Sequence, residues 1–116
     1  MTPILPCNQP APLTPMMLKY KELKKTIPEN CLLMFQLGDF YEFFFDDAAI
    51  VARILKITLT NRRGVPMAGI PFYAINYYIN QFLAANINVA VTENDGNVQN
   101  QTIQMIYEAG DQSKKS

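Results

Sequence analysis

The residues of this chain best equipped for chemistry lie in one run, Gly38-Asp39-Phe40-Tyr41-Glu42-Phe43-Phe44-Phe45. Five of the six residues from Phe40 to Phe45 are aromatic, and the sixth is a carboxylate. The run follows an apolar stretch, Cys31 to Leu37, that reads as a buried strand, and Gly38-Asp39 is turn chemistry. If the chain is extended again from Phe40, side chains alternate between two faces. Phe40, Glu42 and Phe44 then share one face, and Tyr41, Phe43 and Phe45 share the other. The second face is wholly aromatic and suits a core. The first sets a carboxylate between two rings, and burying that charge unpaired is costly. Phe40 and Glu42 are therefore expected side by side at an edge or surface, about 6–7 Å apart. The residues alone leave two readings open. Phe40 is a core ring beside a solvated or salt-bridged acid, or the two form a wedge and a hydrogen-bond acceptor aimed at one ligand.

Other chemistries find little support. The chain has no His, which removes the commonest general base, the commonest zinc ligand and every Ser-His or Cys-His pair. There is no Gly-x-x-x-x-Gly-Lys-[Ser/Thr] loop for a nucleotide. Asp39, Glu42, Asp46 and Asp47 fall close together, and a metal nuclease needs carboxylates converging on a hard cation. Asp46 and Asp47, however, are expected to cap a helix, with Glu42 projecting from a strand away from them.

The elements that must hold the central run fit one domain of 116 residues, 49% hydrophobic and 17% charged, with ten basic and ten acidic residues. Zero net charge counts against tight DNA binding by the chain alone, because an autonomous nucleic-acid binder is normally basic. Cys7 and Cys31 are expected as free thiols of a reducing compartment. No apolar run approaches the ~20 residues of a membrane span, and the N-terminus does not read as a secretory signal. Residues 1–13 read as a flexible Pro-rich leader, 14–108 as the folded domain and 109–116 as a disordered tail.

Within the domain, Thr14-Pro15 opens a helix over 15–26, stopped before Pro28, with its lysines on a solvated face. Cys31–Leu37 and Phe40–Phe45 form a hairpin, the first strand central. A helix carries Ile50, Val51, Ile54 and Leu55, followed by a strand over 57–61, a loop at Arg62-Arg63-Gly64 and an extended 65–70. Ile75, Tyr78, Ile79 and Phe82 mark a third helix, ended near Asn86. Strands over 89–93 and 102–107 follow, the last with Ile103, Met105 and Tyr107 inward. The fold class is α/β: a mixed β-sheet of about five to six strands packed with three helices.

Thr14-Pro15-Met16-Met17, the 38–44 run, Asp46-Asp47-Ala48, Leu59-Thr60 and Pro66-Met67-Ala68-Gly69-Ile70-Pro71 together resemble the N-terminal domain of the MutS family of DNA mismatch-repair proteins, over residues 13–93. The resemblance implies that Phe40 stacks on a mispaired base from the minor groove and that Glu42 hydrogen-bonds that base. It assigns Arg62, and with it Arg63, to phosphates, and sets Met67 and Leu37 near the groove. It implies double-stranded DNA with mismatches or small loops as partner, and no cofactor in this domain. In the full-length family, ATP and magnesium are bound elsewhere, the protein dimerises and it recruits downstream repair proteins. A bacterial source would put it in the cytoplasm or at the nucleoid. Tyr73 stands where the family usually has His, and Thr92-Glu93-Asn94 replaces Cys-Glu-Gln. No contact is assigned to residues 94–116. The alternatives are a MutS-type domain used as a structural or interaction module, and a small metal-dependent nuclease.

Overall fold

The computed structural model describes residues 13–110. Most of the expected leader and tail lies outside them. Helix α1, Pro15–Lys24, begins as its sequence dictates: Thr14 is the N-cap, its Oγ1 accepts the Met17 N–H at 3.1 Å, and Pro15 opens the first turn. The helix ends two residues before the expected 26. Strands β1 (Cys31–Leu37) and β2 (Phe40–Phe44) form the hairpin, and helix α2 (Phe45–Leu55) follows directly. Strands β3 (Thr60–Arg62) and β4 (Val65–Pro71), a 3-10 turn over Phe72–Ala74, helix α3 (Ile75–Ala84) and strands β5 (Asn88–Glu93) and β6 (Thr102–Tyr107) complete the order. The sheet runs β3-β4-β2-β1-β5-β6; β1 and β5 are parallel and every other pair is antiparallel. This is the mixed α/β architecture expected from the sequence, with six strands and three helices.

Helix α1 covers one face of the sheet, where Met17, Tyr20 and Leu23 pack with Leu33, Phe35 and Phe44. Helices α2 and α3 cover the other, where Ala48, Val51, Ile79 and Phe82 meet Leu32, Met34, Tyr41 and Phe43. Strand β1 is therefore covered on both sides, and its first five residues are buried, as its unbroken apolar run requires. Asn86 does stop α3 in the left-handed region, at φ 66°.

Six local expectations are corrected. Strand β2 ends at Phe44, and Phe45 is the first residue of α2 at φ 60°. It therefore leaves the Tyr41/Phe43 face and packs on the α1 side, under Lys21. Asp46 and Asp47 are not caps: the N-cap is Phe44, with no side-chain bond. Asp47 is instead buried and accepts from Tyr20 Oη at 2.7 Å, the Leu33 N–H at 3.1 Å and Lys24 Nζ at 3.0 Å. Lys24 is thus not a solvated lysine; it also donates to the Cys31 carbonyl at 2.7 Å. The third strand begins at Thr60 rather than 57 and includes Arg62, leaving Arg63-Gly64 as the turn. Finally, Met105 and Tyr107 are exposed, because β6 is an edge strand and a register shift opposite Val91/Thr92 separates them from Ile103. Ala109, placed in the tail by composition, is buried, and its N–H donates to Asn88 Oδ1 at 2.8 Å. Cys31 is a buried free thiol whose pKa is pushed up to about 11, chiefly by burial.

Candidate nucleic-acid interface

The β1–β2 hairpin closes with two residues, Gly38 and Asp39, and Leu37 pairs with Phe40. Gly38 takes φ 60°, the left-handed geometry that a tight hairpin turn demands of its first position. The tip is tied down from both sides. The Phe72 N–H donates to the Asp39 carbonyl at 2.8 Å. On the other flank, the Gln36 N–H donates to Thr92 Oγ1 at 3.0 Å, while the Gln36 carbonyl accepts from Asn94 Nδ2 at 3.1 Å and from Gln101 Nε2. Thr92 and Asn94, two of the positions that depart from the family pattern, thus brace the hairpin.

Strand register then arranges the face. Opposed residues of paired strands point the same way. Leu37, Phe40 and Pro71 form a row at the rim; Phe35, Glu42 and Gly69 form the next; Phe44, Met67 and Thr60 form a third. Arg62, opposite Val65, ends the series. Helix α1 covers the inner rows and leaves the rim open. Phe44 is consequently buried with Phe35, while Phe40 on the same face is 49% exposed. The structure thus brings Phe40, Glu42, Leu37, Met67 and Arg62 onto one face. Leu37 and Met67 are half-buried against the α1-side core. Arg62 and Arg63 are exposed, but Arg63 sits in the β3–β4 turn at φ 56°, outside the strand alternation.

Glu42 is half-buried, and its Oε1 is enclosed without a hydrogen-bond partner. Burial raises its pKa above the ordinary 4.5, and the Arg62 charge partly opposes the rise. A carboxyl with a raised folded pKa binds more protons folded than unfolded. Its contribution therefore favours the fold in acid and is lost as pH rises from about 4.5 through the folded pKa. Relative to the unmodified chain, Glu42→Gln should gain melting temperature steadily between about pH 4 and pH 7. An offset between the two melting curves that does not change with pH would mean that the carboxyl is not desolvated.

Sequence reasoning missed three neighbours. Gly69 lies directly across from Glu42, and only the β2–β4 register reveals it. Phe72 and Tyr73, with Asp39, Phe40 and Pro71, line an open depression of about 410 Å³ at the rim. Tyr73 is 87% exposed; its signal in the sequence is the aromatic pair Phe72-Tyr73 directly after Pro71. A larger depression, about 650 Å³, lies at the other end of β2 among Lys21, Lys24, Lys25 and Asp47. Its one buried charge, Asp47, is matched by Lys24, so it offers less to a ligand than the rim does. Among the described residues no group of three or more His, Cys, Asp or Glu is placed to hold a metal.

The family description MutS domain I matches residues 14–111. The chain belongs to the MutS family. It is similar to the DNA mismatch repair protein MutS of Petrotoga mobilis, 49% identical over 81 residues, and to that of Treponema denticola, 49% identical over 82. The Thermotoga maritima protein of the same name is 44% identical over 81 residues. These alignments cover 70–71% of this chain and 9–10% of each relative, so the chain spans about a tenth of the length of the curated relatives it matches. This MutS domain I has no helix, among the described residues, long and apolar enough to cross a membrane.

Proposed function

We propose that this MutS domain I senses mispaired or unpaired bases in double-stranded DNA, with Phe40 as an aromatic wedge from the minor groove and Glu42 as the acceptor for the displaced base. The observation that carries the reading is a half-exposed phenylalanine at the sheet rim with a carboxylate two residues along the same face. The names of the relatives, DNA mismatch repair proteins, point the same way.

The energetics suit such a sensor. Unstacking a base step costs a few kcal/mol, and less at a mismatch. An aromatic ring stacked on a base returns about 1–3 kcal/mol. At a paired step the terms nearly cancel; at a mismatch the cost falls and the gain remains. The device reads deformability, not sequence, and so serves many lesions. Glu42 works against the duplex phosphates and is useful only where a base can donate or share a proton with it. Leu37 and Met67 flank the wedge, and Arg62 and Arg63 contact phosphates. The domain is not itself an enzyme; ATP hydrolysis, dimerisation and recruitment of repair proteins belong to a longer MutS protein.

The test is binding of mismatched against fully paired duplex by the chain and by Glu42→Gln. The variant should discriminate less. Unchanged discrimination sinks the role of the carboxylate charge, and equal affinity of the unmodified chain for both duplexes favours a structural or interaction module. With two arginines as the phosphate contacts, the logarithmic salt slope should be about −2, so affinity falls only about tenfold between 50 and 200 mM salt. A slope several times steeper would reveal phosphate contacts beyond this pair.

A further inference from the structure

Gly69 is where the candidate site is most closely fitted. It stands opposite Glu42 across the β2–β4 ladder. A β-carbon added there would lie 3.0 Å from Glu42 Oε2, 3.2 Å from Oε1 and 3.3 Å from Cδ. The carboxyl therefore lies down across β4 and occupies the space any other side chain would fill. Its Oε1 is shut away from water without a partner, which is a poor resting place for an acid unless another group arrives to bond it. Glycine in a strand interior costs conformational entropy and packs nothing. The backbone offers no reason for glycine here, since Gly69 is not among the residues at positive φ.

We infer that Gly69 is a positioning residue: its missing side chain is the notch that seats the Glu42 carboxyl beside Phe40, holding the acceptor low on the sheet and facing the base that the ring displaces. This inference rests on the mismatch-sensing reading given above. The seat keeps the carboxyl from extending toward the phosphates, where its charge would oppose every duplex alike. It also holds Oε1 away from water without a partner, which keeps the carboxyl readily protonated. Arg62, from β3, is the charged group that acts on the seated carboxyl.

The test is Gly69→Ala in the 116-residue chain, with Glu42 and its carboxyl carbon followed by NMR across pH. In the unmodified chain Glu42 should titrate above the ordinary 4.5. In Gly69→Ala the carboxyl has to give way to the new β-carbon, and the midpoint should move toward that value while resonances of the α1-side core stay in place. An unmoved midpoint overturns the inference. If the single variant proves poorly folded, Gly69→Ala combined with Glu42→Ala relieves the crowding and should restore the melting temperature; failure to restore it also overturns the inference. Mismatch-against-paired binding then separates the layers. Loss of at least about tenfold in discrimination by Gly69→Ala, and no further loss when Glu42→Ala is added, supports the positioning role. Discrimination lost by Glu42→Ala but kept by Gly69→Ala overturns it and leaves the sensor reading standing. Discrimination kept by both Phe40→Ala and Glu42→Ala removes the sensor reading and the inference together.

Discussion

Phe40→Ala should bring the affinity for a mismatched duplex down to that for a paired one, a loss of about 5- to 150-fold. That range is the about 1–3 kcal/mol of base–aromatic stacking converted to an equilibrium constant. Affinity for the paired duplex should hardly change, because there the stacking gain is already spent on unstacking. Burial makes this variant informative. Phe40 is 49% exposed and belongs to neither core cluster, so its truncation opens no cavity. Its stability should stay within about 0.5 kcal/mol of the parent. Phe43 and Phe44 are fully buried neighbours in the same strand, and either one cut to alanine should cost about 3–5 kcal/mol. A Phe40→Ala chain that melts normally but still prefers mismatches would remove the wedge from the mechanism. One that melts as badly as Phe43→Ala would place the ring in the core.

A large effect on stability, comparable to truncating Phe43 or Phe44, is expected at Asp47, far from the rim. Its carboxylate is 5% exposed and accepts from Tyr20 Oη, the Leu33 N–H and Lys24 Nζ. It thereby joins α1, the middle of β1 and the first turn of α2. Asp47→Ala leaves an ammonium and an amide without their acceptor inside the fold. Breaking a buried pair in this way costs about 3–5 kcal/mol. The lower end applies here, since the Lys24 side chain keeps 29% of its exposure and can turn to water. Against a total stability of about 5–15 kcal/mol, a loss of about 3 kcal/mol should lower the melting temperature by on the order of 10–25 °C. Asp47→Asn, which keeps the shape and one acceptor, should fall between. Thermal unfolding decides: a melting temperature within a few degrees of the parent would mean that the three bonds are surface conveniences rather than the tie between layers.

The two sites differ in how legible they were. Strand alternation is local, so the sharing of one face by Phe40 and Glu42 could be read from the order of residues. The hairpin turn, the N-cap at Thr14, the double-sided burial of β1 and the left-handed stop at Asn86 were legible for the same reason: each depends on neighbours in the chain. Asp46 and Asp47 show where that reasoning ends. Acids at a helix start predict capping, yet Asp47 serves Tyr20, Lys24 and Leu33, partners 27, 23 and 14 residues away. Edge-strand status is invisible in the same way, so alternation alone points Met105 and Tyr107 inward, whereas both are exposed.

The amino-acid sequence by itself determined which side chains share a face and where the chain must turn, because period and turn chemistry act over a few residues. The tertiary structure alone decided which end of that face stays open. Phe40 and Phe44 are the same residue type on the same side of one strand, and they part company because α1 lies over the inner rows and stops short of the rim. It also decided that Glu42 would find a glycine beneath it, since β4 reaches that position only after the whole of α2 and β3 have intervened. Layer placement and strand register are set by the collective burial of side chains far apart in the chain, and no local pattern encodes them.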